Sequence, residues 1–449
     1  MNLSLQQRLS TSPLVIRTRK FSHKFVDHRL LKHAFKSPAV TAVTFGLVFF
    51  FVCADNFASN FSFSYPSNDD SGGPLSRVVH EISRSNVPDN GGDSILRSLP
   101  AEGIYSGRGG ATEETILEDP KSLIPPFNAT RIERLAWFRE KIPDIEIFNP
   151  NPLTEQFHSR VLQFLNNNCS IQFFMIWNSP ARSFKNRDFL AIDSLFSSNP
   201  RGCLLIISRT MDTRRGYSIL KPIIDRGFKV LAVTPDLPFL MKNTPTESWF
   251  EQLRSGRRDP GGYIVQNLAN LIRFAMLYKY GGVYLDTDFI VLKDFSGLRN
   301  VVGSQTQEVD TKNWLNGAAI AFDVGHPLVK AFLEEFANTY NGNKWGNNGP
   351  HLMTRVIQRT ESTPECNYTV LQPEAFYPVD WVKIKRLFRR TVTEADLRWA
   401  EQQLAELENG DTYGVHLWNK HTIGMKIEVG SVMGRLMEQH CLVCENIYT

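Results

Sequence analysis

The chain has little net charge and no internal repeat. Its formal net charge is +4 over 449 residues, and residues 1–36 alone carry eight lysines and arginines against one aspartate. The chain after residue 36 is therefore slightly acidic, so the basic balance belongs to a tail and does not indicate a nucleic-acid partner. The absence of repeats excludes a repeat architecture. The composition is otherwise that of a globular protein, with 42% hydrophobic residues.

Cysteine is scarce, with six in the whole chain. Cys441 and Cys444 have the spacing of half a zinc site, but no second pair completes it, so we do not expect metal there. Cys169 and Cys203 flank the first predicted βαβ unit, and Cys366 could pair with Cys441 or Cys444. These cysteines fit an oxidising luminal compartment. Glycosylation sequons, each a weak signal by itself, begin at Asn60, Asn128, Asn168 and Asn367.

One uncharged apolar run, residues 37–54, is long enough to span a membrane. As a helix it would be about 27 Å long, close to the hydrocarbon thickness of early secretory membranes. The basic tail before it places the N-terminus in the cytosol and the chain after it in the lumen. A cleaved signal peptide and a buried core helix are the alternatives. We expect a retained anchor, because the basic leader is long for a signal peptide.

The segment after this run reads as a stem. Ser, Asn, Asp, Gly and Pro dominate residues 55–125, and such a segment cannot bury enough apolar surface to fold. Residues 130–141 predict a short helix, and residues 143–152 a linker. The predicted organisation is a cytosolic tail (1–36), a transmembrane anchor (37–54), a largely disordered luminal stem (55–150) and a catalytic domain (151–449).

From residue 171 onward, short apolar runs alternate with stretches of helical period. This order predicts an α/β domain with a mostly parallel sheet flanked by helices. The predicted strands are residues 171–177, 203–208, 228–233, 283–285 and 318–322. The predicted helices are residues 186–197, 214–226, 264–280, 327–340 and 393–407.

Two carboxylates, Asp286 and Asp288, follow the predicted strand 283–285 and a Gly281-Gly282 break. Residues i and i+2 of an extended segment face the same side, so both can address one Mg²⁺ or Mn²⁺ ion. Ligands of open α/β sheets bind at the carboxyl ends of strands, where Asp286 lies. A cation there would neutralise charge on a leaving nucleoside diphosphate. The glycines permit unusual dihedral angles and a close approach of backbone to ligand.

Residues 267–293 resemble the sugar-binding region, with its Asp-x-Asp motif, of glycosyltransferases. The closest resemblance is to the α1,4-glycosyltransferase family typified by globotriaosylceramide synthase. It extends over about residues 170–440, with further motifs at residues 315–322, 345–356, 373–378 and 415–420. The resemblance implies a GT-A fold (Rossmann-like), a UDP-sugar donor, retention at the anomeric carbon, and a single-pass type II protein of the Golgi membrane.

The resemblance also implies roles for individual residues. Asp286 and Asp288 would act through Mn²⁺, with Mg²⁺ as the alternative, on the donor diphosphate, and His416 would complete the metal site. Arg273 would contact the donor. Asn270 stands where the family often has an Asp, which leaves the donor sugar open between galactose and N-acetylglucosamine. Further donor contacts are implied for Trp177, which would stack on uracil, and for Tyr284, Gly281, Gly282, Asn316, Gly317, Asn348, Gly349 and Trp418.

Several of these residues also have a structural interpretation. Arg273 could pair with a carboxylate, Trp177 and His416 could be core residues, and residues 347–350 could be only a turn. The basic segment 383–390 is by default a solvated face, with contact to an acceptor or a membrane surface as the alternative.

We therefore expect a retaining transfer of a hexose from a UDP-sugar to a glycan, glycolipid or glycoprotein hydroxyl, with an α1,4 linkage. Two rivals stay open. Asn270 leaves room for a catalytically silent sugar-binding protein of the same fold. Residues 285–290 partly imitate an Asp-nucleophile phosphohydrolase, but that signature needs a later acidic pair, and the sole Asp-Asp, residues 69–70, lies in the predicted stem.

Overall fold

A computed structural model describes residues 124–448, with gaps at 127, 307–313 and 361–365. These residues belong to a unit that spans Ile95–Thr449. The predicted tail and anchor, most of the predicted stem, and the sequon at Asn60 lie outside the described residues. Within the described ranges, no helix has the length and hydropathy needed to cross a membrane.

The folded part begins before the predicted boundary at residue 151. Helix α1 (Arg131–Lys141) forms where a short helix is predicted. Two 3₁₀ turns, Ile142–Asp144 and Glu146–Phe148, follow where we predicted a linker. Phe138 and Phe148 are buried and meet edge to face at 6.4 Å. This part of the predicted stem therefore packs on the core, because its aromatic side chains leave water there.

Five strands form where the sequence predicts them, in the predicted order, and four further strands of the described residues were not predicted. Together these strands are β1 (Gln172–Ile176), β2 (Cys203–Ile207), β3 (Lys229–Val233), β4 (Gly282–Leu285), β5 (Phe289–Val291), β6 (Val301–Thr306), β7 (Trp314–Phe322), β8 (Thr369–Leu371) and β9 (Gly414–His416). Seven of them form one sheet in the order β3-β2-β1-β4-β7-β6-β8, and β5 pairs with β9. The run from β3 to β4 and the β6–β8 pair are parallel, while β7 is antiparallel to β4 and β6. The mostly parallel sheet confirms the predicted α/β class.

Helices connect and cover these strands. They are α2 (Pro152–Glu155), α3 (Phe157–Leu165), α4 (Asn186–Ser198), α5 (Arg214–Ile224), α6 (Leu237–Met241), α7 (Glu247–Arg254), α8 (Ile264–Tyr280), α9 (Pro327–Thr339), α10 (Pro350–Thr360), α11 (Pro373–Phe376), α12 (Ile384–Leu387), α13 (Glu394–Asn409), α14 (Asn419–Thr422) and α15 (Val432–Gln439). Helix α8 has the predicted bounds, because its apolar period runs unbroken to Gly281. Helix α13 begins with the predicted capping box of Thr393 and Asp396.

The core lies on both faces of the sheet. In β1, Phe173 and Met175 join one buried cluster, whereas Phe174 and Ile176 join the other. Alternate side chains of a strand point to opposite faces, so an apolar run of this kind requires cover on both sides. The helices provide that cover.

The cysteine pairing differs in part from the prediction. Cys169, just before β1, is bonded to Cys203 at the start of β2, which closes the first βαβ unit. Cys441 and Cys444 are bonded to each other. Neither of them therefore pairs with Cys366, contrary to the suggested pairing.

The C-terminal disulfide loop is held by a buried carboxylate. Asp193 of α4 is fully buried and accepts hydrogen bonds from the backbone N–H groups of Leu442, Val443 and Cys444 at 2.8–3.1 Å. Backbone N–H groups that converge on one carboxylate stabilise its charge without a cation. The Cys441–Cys444 pair thus belongs to a structural loop.

Candidate active site

The two predicted carboxylates lie at the carboxyl end of β4. The backbone N–H of Asp286 donates to the Ala318 carbonyl of β7 at 2.8 Å, which fixes its position. The chain then enters β5, which pairs with β9 so that Phe289 lies opposite His416. This pairing brings His416 next to Asp288, although the two residues are far apart in the sequence.

Asp286, Asp288 and His416 form one cluster. One potential ligand atom from each lies within 4.8 Å of the other two. His416 Nε2 is 3.3 Å from Asp288 Oδ1, and the backbone N–H of Asn419 donates to Asp288 Oδ2 at 2.8 Å. Only 8% of Asp288 and 7% of His416 are exposed. The structure therefore brings together the three residues predicted as metal ligands.

Pairing outweighs burial in setting the charge of this cluster. Burial would raise the pKa of Asp288, but the charge of His416 and its hydrogen bond hold that pKa below its ordinary value. Burial would lower the pKa of His416, but the Asp288 carboxylate raises it instead. Without a cation, the two groups favour a carboxylate–imidazolium pair.

The cluster fits a divalent cation. Two carboxylates and an imidazole offer the hard oxygen and nitrogen donors that such cations take in proteins. His416 Nδ1 is buried and has no hydrogen-bond partner among the described residues. Buried polar atoms are seldom left without a partner, so we infer that a ligand or an ion binds beside this nitrogen.

Arg273 reaches the same cluster from α8. Its Nη2 lies 2.7 Å from Asp286 Oδ1, and the Tyr284 hydroxyl donates to that oxygen at 2.7 Å. The guanidinium carbon lies 4.2 Å from the centroid of the Tyr284 ring. A Cβ at Gly317 would overlap the guanidinium, so this glycine leaves room for it. The structural interpretation of Arg273, pairing with a carboxylate, is thus realised, while its donor contact stays a prediction.

Gly281 and Gly282 do not lie at this cluster, contrary to the predicted donor contacts. They form the turn from α8 into β4, with φ angles of 64° and 102°. A Cβ at Gly281 would lie 2.7 Å from Val324 N, and one at Gly282 would lie 2.5 Å from Gln172 Cγ. The length of β4, about 13 Å, separates them from Asp286. Their dihedral angles serve the helix-to-strand turn and its close packing.

The predicted asparagines divide into two groups. Asn348 is 1% exposed, and its amide bonds both backbone polar groups of Asn341 at 2.9 and 3.0 Å. Asn316 accepts from the backbone N–H two residues further on at 3.0 Å. Both amides therefore stabilise local backbone. Asn270 is half-buried against Gly349, where a Cβ would lie 2.8 Å from its Nδ2, and it stays the better candidate for a sugar contact.

The two predicted tryptophans lie in different surroundings. The Trp418 ring is 4.5 Å from the His416 ring, and its Nε1 donates to the Val379 carbonyl at 2.9 Å. Trp418 thus packs against His416, one of the three residues of the cluster. Trp177 follows β1, is half-buried, and packs edge to face against Phe184 at 4.9 Å. Its stacking on uracil stays a prediction.

Two residues of α4 that sequence reasoning missed also lie near the cluster. Arg187 donates to Asn419 Oδ1 at 3.1 Å and to Thr422 Oγ1 at 2.9 Å, which ties α4 to α14. Burial raises the pKa of Asp188 to about 6, and the nearby charge of Asp288 adds to the rise. An adjacent charge pair at the start of an apolar helix is the only sequence signal that could have found them.

Two sequence families match the chain. The one described as "Alpha 1,4-glycosyltransferase conserved region" matches residues 321–448, which include His416 and Trp418. The one described as "Glycosyltransferase sugar-binding region containing DXD motif" matches residues 185–309, which include Asp286 and Asp288.

Curated proteins also match the chain over part of its length. A lactosylceramide 4-alpha-galactosyltransferase of Pongo pygmaeus is 37% identical over 215 residues, or 46% of this chain and 91% of that protein. The match covers 55–61% of other mammalian proteins of that name. An alpha-1,4-N-acetylglucosaminyltransferase of Homo sapiens is 28% identical over 46% of this chain and 58% of that protein. A solved structure described as "PaToxG Glycosyltransferase" is 19% identical over 51% of this chain and 80% of that chain, with a TM-score of 0.34.

Proposed function

We propose a donor, a metal and a reaction course for this chain, which belongs to the α1,4-glycosyltransferase family and is a glycosyltransferase. It transfers a hexose from a UDP-sugar, with retention and with Mn²⁺ as cofactor, to a hydroxyl of a glycan, glycolipid or glycoprotein. The linkage formed is α1,4. The observation that carries the proposal is the convergence of Asp286, Asp288 and His416 within 4.8 Å at the carboxyl end of the sheet.

Hydrogen bonds from the surrounding residues hold the carboxylate oxygens of the cluster in place. Arg273 and Tyr284 both bind Asp286 Oδ1, so Oδ2 stays available to a cation. His416 and the Asn419 N–H hold the two oxygens of Asp288. Fixed carboxylates cost little reorganisation when charge develops. A bound cation would supply neutralising charge for the leaving diphosphate.

Retention follows from a front-side course. The acceptor oxygen bonds to the anomeric carbon on the face from which the diphosphate departs, as the bond between that carbon and the phosphate oxygen breaks. The released phosphate oxygen takes the acceptor's proton. Because the new bond forms on the face of the old one, the configuration at the anomeric carbon is retained. This course needs no protein nucleophile, and sequence reasoning identified none. It also places the acceptor next to the cluster.

The donor sugar is galactose or N-acetylglucosamine. The related galactosyltransferase and N-acetylglucosaminyltransferase differ in this sugar. Asn270 is uncharged and lies against Gly349, so it can exchange hydrogen bonds with sugar hydroxyls but cannot act as an ionic acceptor.

The protein resides in the Golgi membrane as a type II protein with the catalytic part in the lumen. Residues 37–54 support an anchor, and the disulfide Cys169–Cys203 fits an oxidising compartment. Protease protection of sealed microsomes tests this topology. Digestion of the catalytic part without detergent would contradict it.

A screen of UDP-sugars with Mn²⁺, read as UDP release, tests the activity. Asp288→Asn should lower turnover at least about 100-fold, because removing a stabilising charge from a reaction centre costs a few kcal/mol of barrier. Asp225→Asn is the matched control, because Asp225 is an exposed aspartate at the C-terminal end of α5. Full activity in Asp288→Asn would overturn the proposal.

Each of the two rival functions predicts a different result. A catalytically silent sugar-binding protein would bind the UDP-sugar but would release no UDP, whichever acceptor is added. An Asp-nucleophile phosphohydrolase would release phosphate from an aryl phosphate, and Asp286→Asn would abolish that release.

A further inference from the structure

Exposed apolar side chains are concentrated in one region of the chain. Among the described residues, six large apolar side chains are more than 60% exposed: Ile132, Val324, Val382, Val392, Ile423 and Val429. Four of these six lie between residues 382 and 429. Apolar side chains that gather in contact with water are typical of a surface that binds a protein or a membrane.

Three of the valines lie around one concave surface. The Thr391 hydroxyl donates to the Gly430 carbonyl at 3.1 Å, which brings the neighbouring Val392 and Val429 close together. Val382 and Thr391 line the same cavity, whose volume is about 670 Å³. We call this the docking surface, and it is formed by residues 381–392 and 428–430.

Cationic side chains lie between the valines. Five of them line the cavity: Lys383, Lys385, Arg386, Arg389 and Arg390. Arg386 is paired with Asp396 at 3.2 Å, and its guanidinium carbon lies 3.8 Å from the centroid of the Trp399 ring. Lys383 is paired with Asp380 at 3.4 Å. These two cations are therefore bound to neighbouring parts of the protein.

The other three cations leave the docking surface positively charged. Glu428 is exposed among them, and its carboxylate accepts a hydrogen bond from the backbone N–H of Arg390 at 2.6 Å. In the part of the chain that the structure describes, no ion pair joins a carboxylate to Lys385, Arg389 or Arg390. With five cations and the carboxylates of Asp380, Asp396 and Glu428, the surface has a net charge of +2.

The docking surface rests on buried side chains. Ile384, Leu387 and Phe388 alternate with the cations and are fully buried. The guanidinium carbon of Arg187 lies 4.8 Å from the centroid of the Phe388 ring on the inner side. The segment is therefore anchored in the core, and its valines and cations are directed outward.

This mixture of side chains fits a bilayer better than a protein partner. The core of a protein interface is depleted of charged residues, whereas here cations lie between the valines. At a bilayer surface, apolar side chains enter the boundary between headgroups and acyl chains, while Lys and Arg stems extend their charges to the phosphate groups. Trp381, which is partly exposed beside Val382, is a residue type enriched at membrane interfaces.

The docking surface lies near the metal cluster but is separate from it. The Trp381 ring is 5.6 Å from the Trp418 ring, which packs on the His416 ring at 4.5 Å. The buried Trp418 separates the two regions. Contact of this surface with a bilayer would therefore hold the reaction centre close to the membrane without occupying it.

We propose that the docking surface binds the surface of a phospholipid bilayer, with its three valines below the headgroups and its cations at the phosphate groups. The contact is independent of the proposed transfer. The proposed anchor at residues 37–54 would keep the bilayer at a high effective concentration, so that a weak contact is sufficient.

A fluorescent label on the full-length chain, reconstituted into vesicles, tests the proposal. The dye NBD is attached at Val392→Cys in a chain with Cys53→Ser and Cys366→Ser, the two cysteines outside the disulfides. The vesicles contain phosphatidylcholine, phosphatidylserine and a nitroxide-labelled lipid. Quenching at residue 392 should be at least about threefold stronger than at Val324→Cys, because only a label at the bilayer meets the nitroxide.

Val324 is the matched labelling position. It is also exposed, but it lies beside Gly281, at the opposite end of β4 from the metal cluster. Both labelled chains contain the proposed anchor, so the difference between them reports the docking surface alone.

Two kinds of substitution test the chemistry of the contact. Val382→Asp places a carboxylate against the phosphate groups, and Arg389→Gln with Arg390→Gln removes two cations. Each should lower quenching at residue 392 at least about twofold, because both weaken the attraction to an anionic surface. Ile132→Asp, at an exposed residue of α1, should leave the quenching unchanged. Circular dichroism checks that every variant is folded.

Equal quenching at residues 392 and 324 would overturn the proposal, as would quenching that neither kind of substitution lowers. A blue shift of the dye in detergent that grows with protein concentration, without quenching by the lipid, would also overturn it and assign the surface to a second copy of the chain. Absence of UDP release with quenching intact would instead refute only the proposed transfer.

Discussion

The guanidinium of Arg273 and the carboxylate of Asp286 form an ion pair at 2.7 Å that is possible only because residue 317 lacks a side chain. Arg273 is 6% exposed, and its Nε has no hydrogen-bond partner among the described residues. The pair couples helix α8 to the end of β4. A methyl group at position 317 would therefore displace the Arg273 guanidinium and so disturb Asp286 without touching the cluster itself.

We predict that Gly317→Ala lowers metal-dependent UDP release at least about 10-fold, because it displaces the Arg273 guanidinium and frees Asp286 to move. Circular dichroism should still show a folded chain. Gly297→Ala is the matched control, since a Cβ there meets no atom within 4 Å. Equal activity of the two variants would mean that Arg273 does not position Asp286.

The affinity for Mn²⁺ should rise with pH. The Asp288 carboxylate raises the pKa of His416 above its usual 6.5, and a metal ligand must be a neutral imidazole. Metal binding therefore competes with a proton that is held best at low pH and lost as pH rises through the raised pKa. Titration calorimetry between pH 6 and 8, in buffers of different ionisation enthalpy, should show tighter binding and proton release.

His416→Gln provides the control for this pH dependence. It should weaken Mn²⁺ binding and remove most of its pH dependence in that interval. An unchanged slope would show that another group supplies the proton.

Asp188 should make the protein more stable at acidic pH. Its folded-state pKa of about 6 lies above the ordinary value of 3.8, so the folded chain binds this proton more tightly than the unfolded chain. Stability from this group is therefore present below about pH 4 and is lost as pH rises to about 6, by up to about 3 kcal/mol.

Denaturant unfolding of the wild type and Asp188→Asn between pH 4 and 7 measures this contribution. The free energy of unfolding of the variant minus that of the wild type, measured at the same pH, should therefore be larger at pH 7 than at pH 4. Asp225→Asn, on an exposed residue, should show no such trend. A parallel pH profile for Asp188→Asn and the wild type would contradict the prediction.

The buried carboxylate of Asp193 should be necessary for the C-terminal loop. Asp193→Asn keeps the shape but removes the charge that three backbone N–H groups share, which should cost about 2 kcal/mol of stability. The thermal midpoint should fall, and proteolysis should begin near residue 441. Reducing the Cys441–Cys444 disulfide provides a second test, because its effect should be small in this variant, where the loop is already loose.

Local patterns predicted most of the fold, and distant contacts account for what they missed. The period of helix α8 and the apolar runs of β1 to β3 are properties of neighbouring residues, so their positions were predictable. The approach of His416 to Asp288 depends on pairing of β9 with β5, and only the family resemblance suggested it. Gly281 and Gly282 were misassigned because a glycine pair signals an unusual backbone without saying which neighbour requires it.

Arg187 shows the same limit, because its role depends on a residue from the far end of the chain. It binds Asn419 and Thr422 of α14, and the backbone N–H of Asn419 donates to Asp288 at 2.8 Å. Removing the guanidinium should let α14 shift and leave an Asp288 oxygen without its donor. We predict that Arg187→Gln weakens Mn²⁺ binding about 10-fold, since a lost hydrogen bond to a charged group is worth about 1.5 kcal/mol.

Arg187→Lys separates position from charge. Lysine keeps the charge but lacks the fixed planar group that binds Asn419 Oδ1 and Thr422 Oγ1 together, so it should restore little of the Mn²⁺ affinity if Arg187 acts by holding α14. Restoration to the wild-type value would instead mean that its charge near Asp288 is what matters. Amide hydrogen exchange at residues 419–422 gives a readout independent of the metal, and it should increase in both variants. Unchanged exchange in Arg187→Gln would show that α14 is held by other contacts.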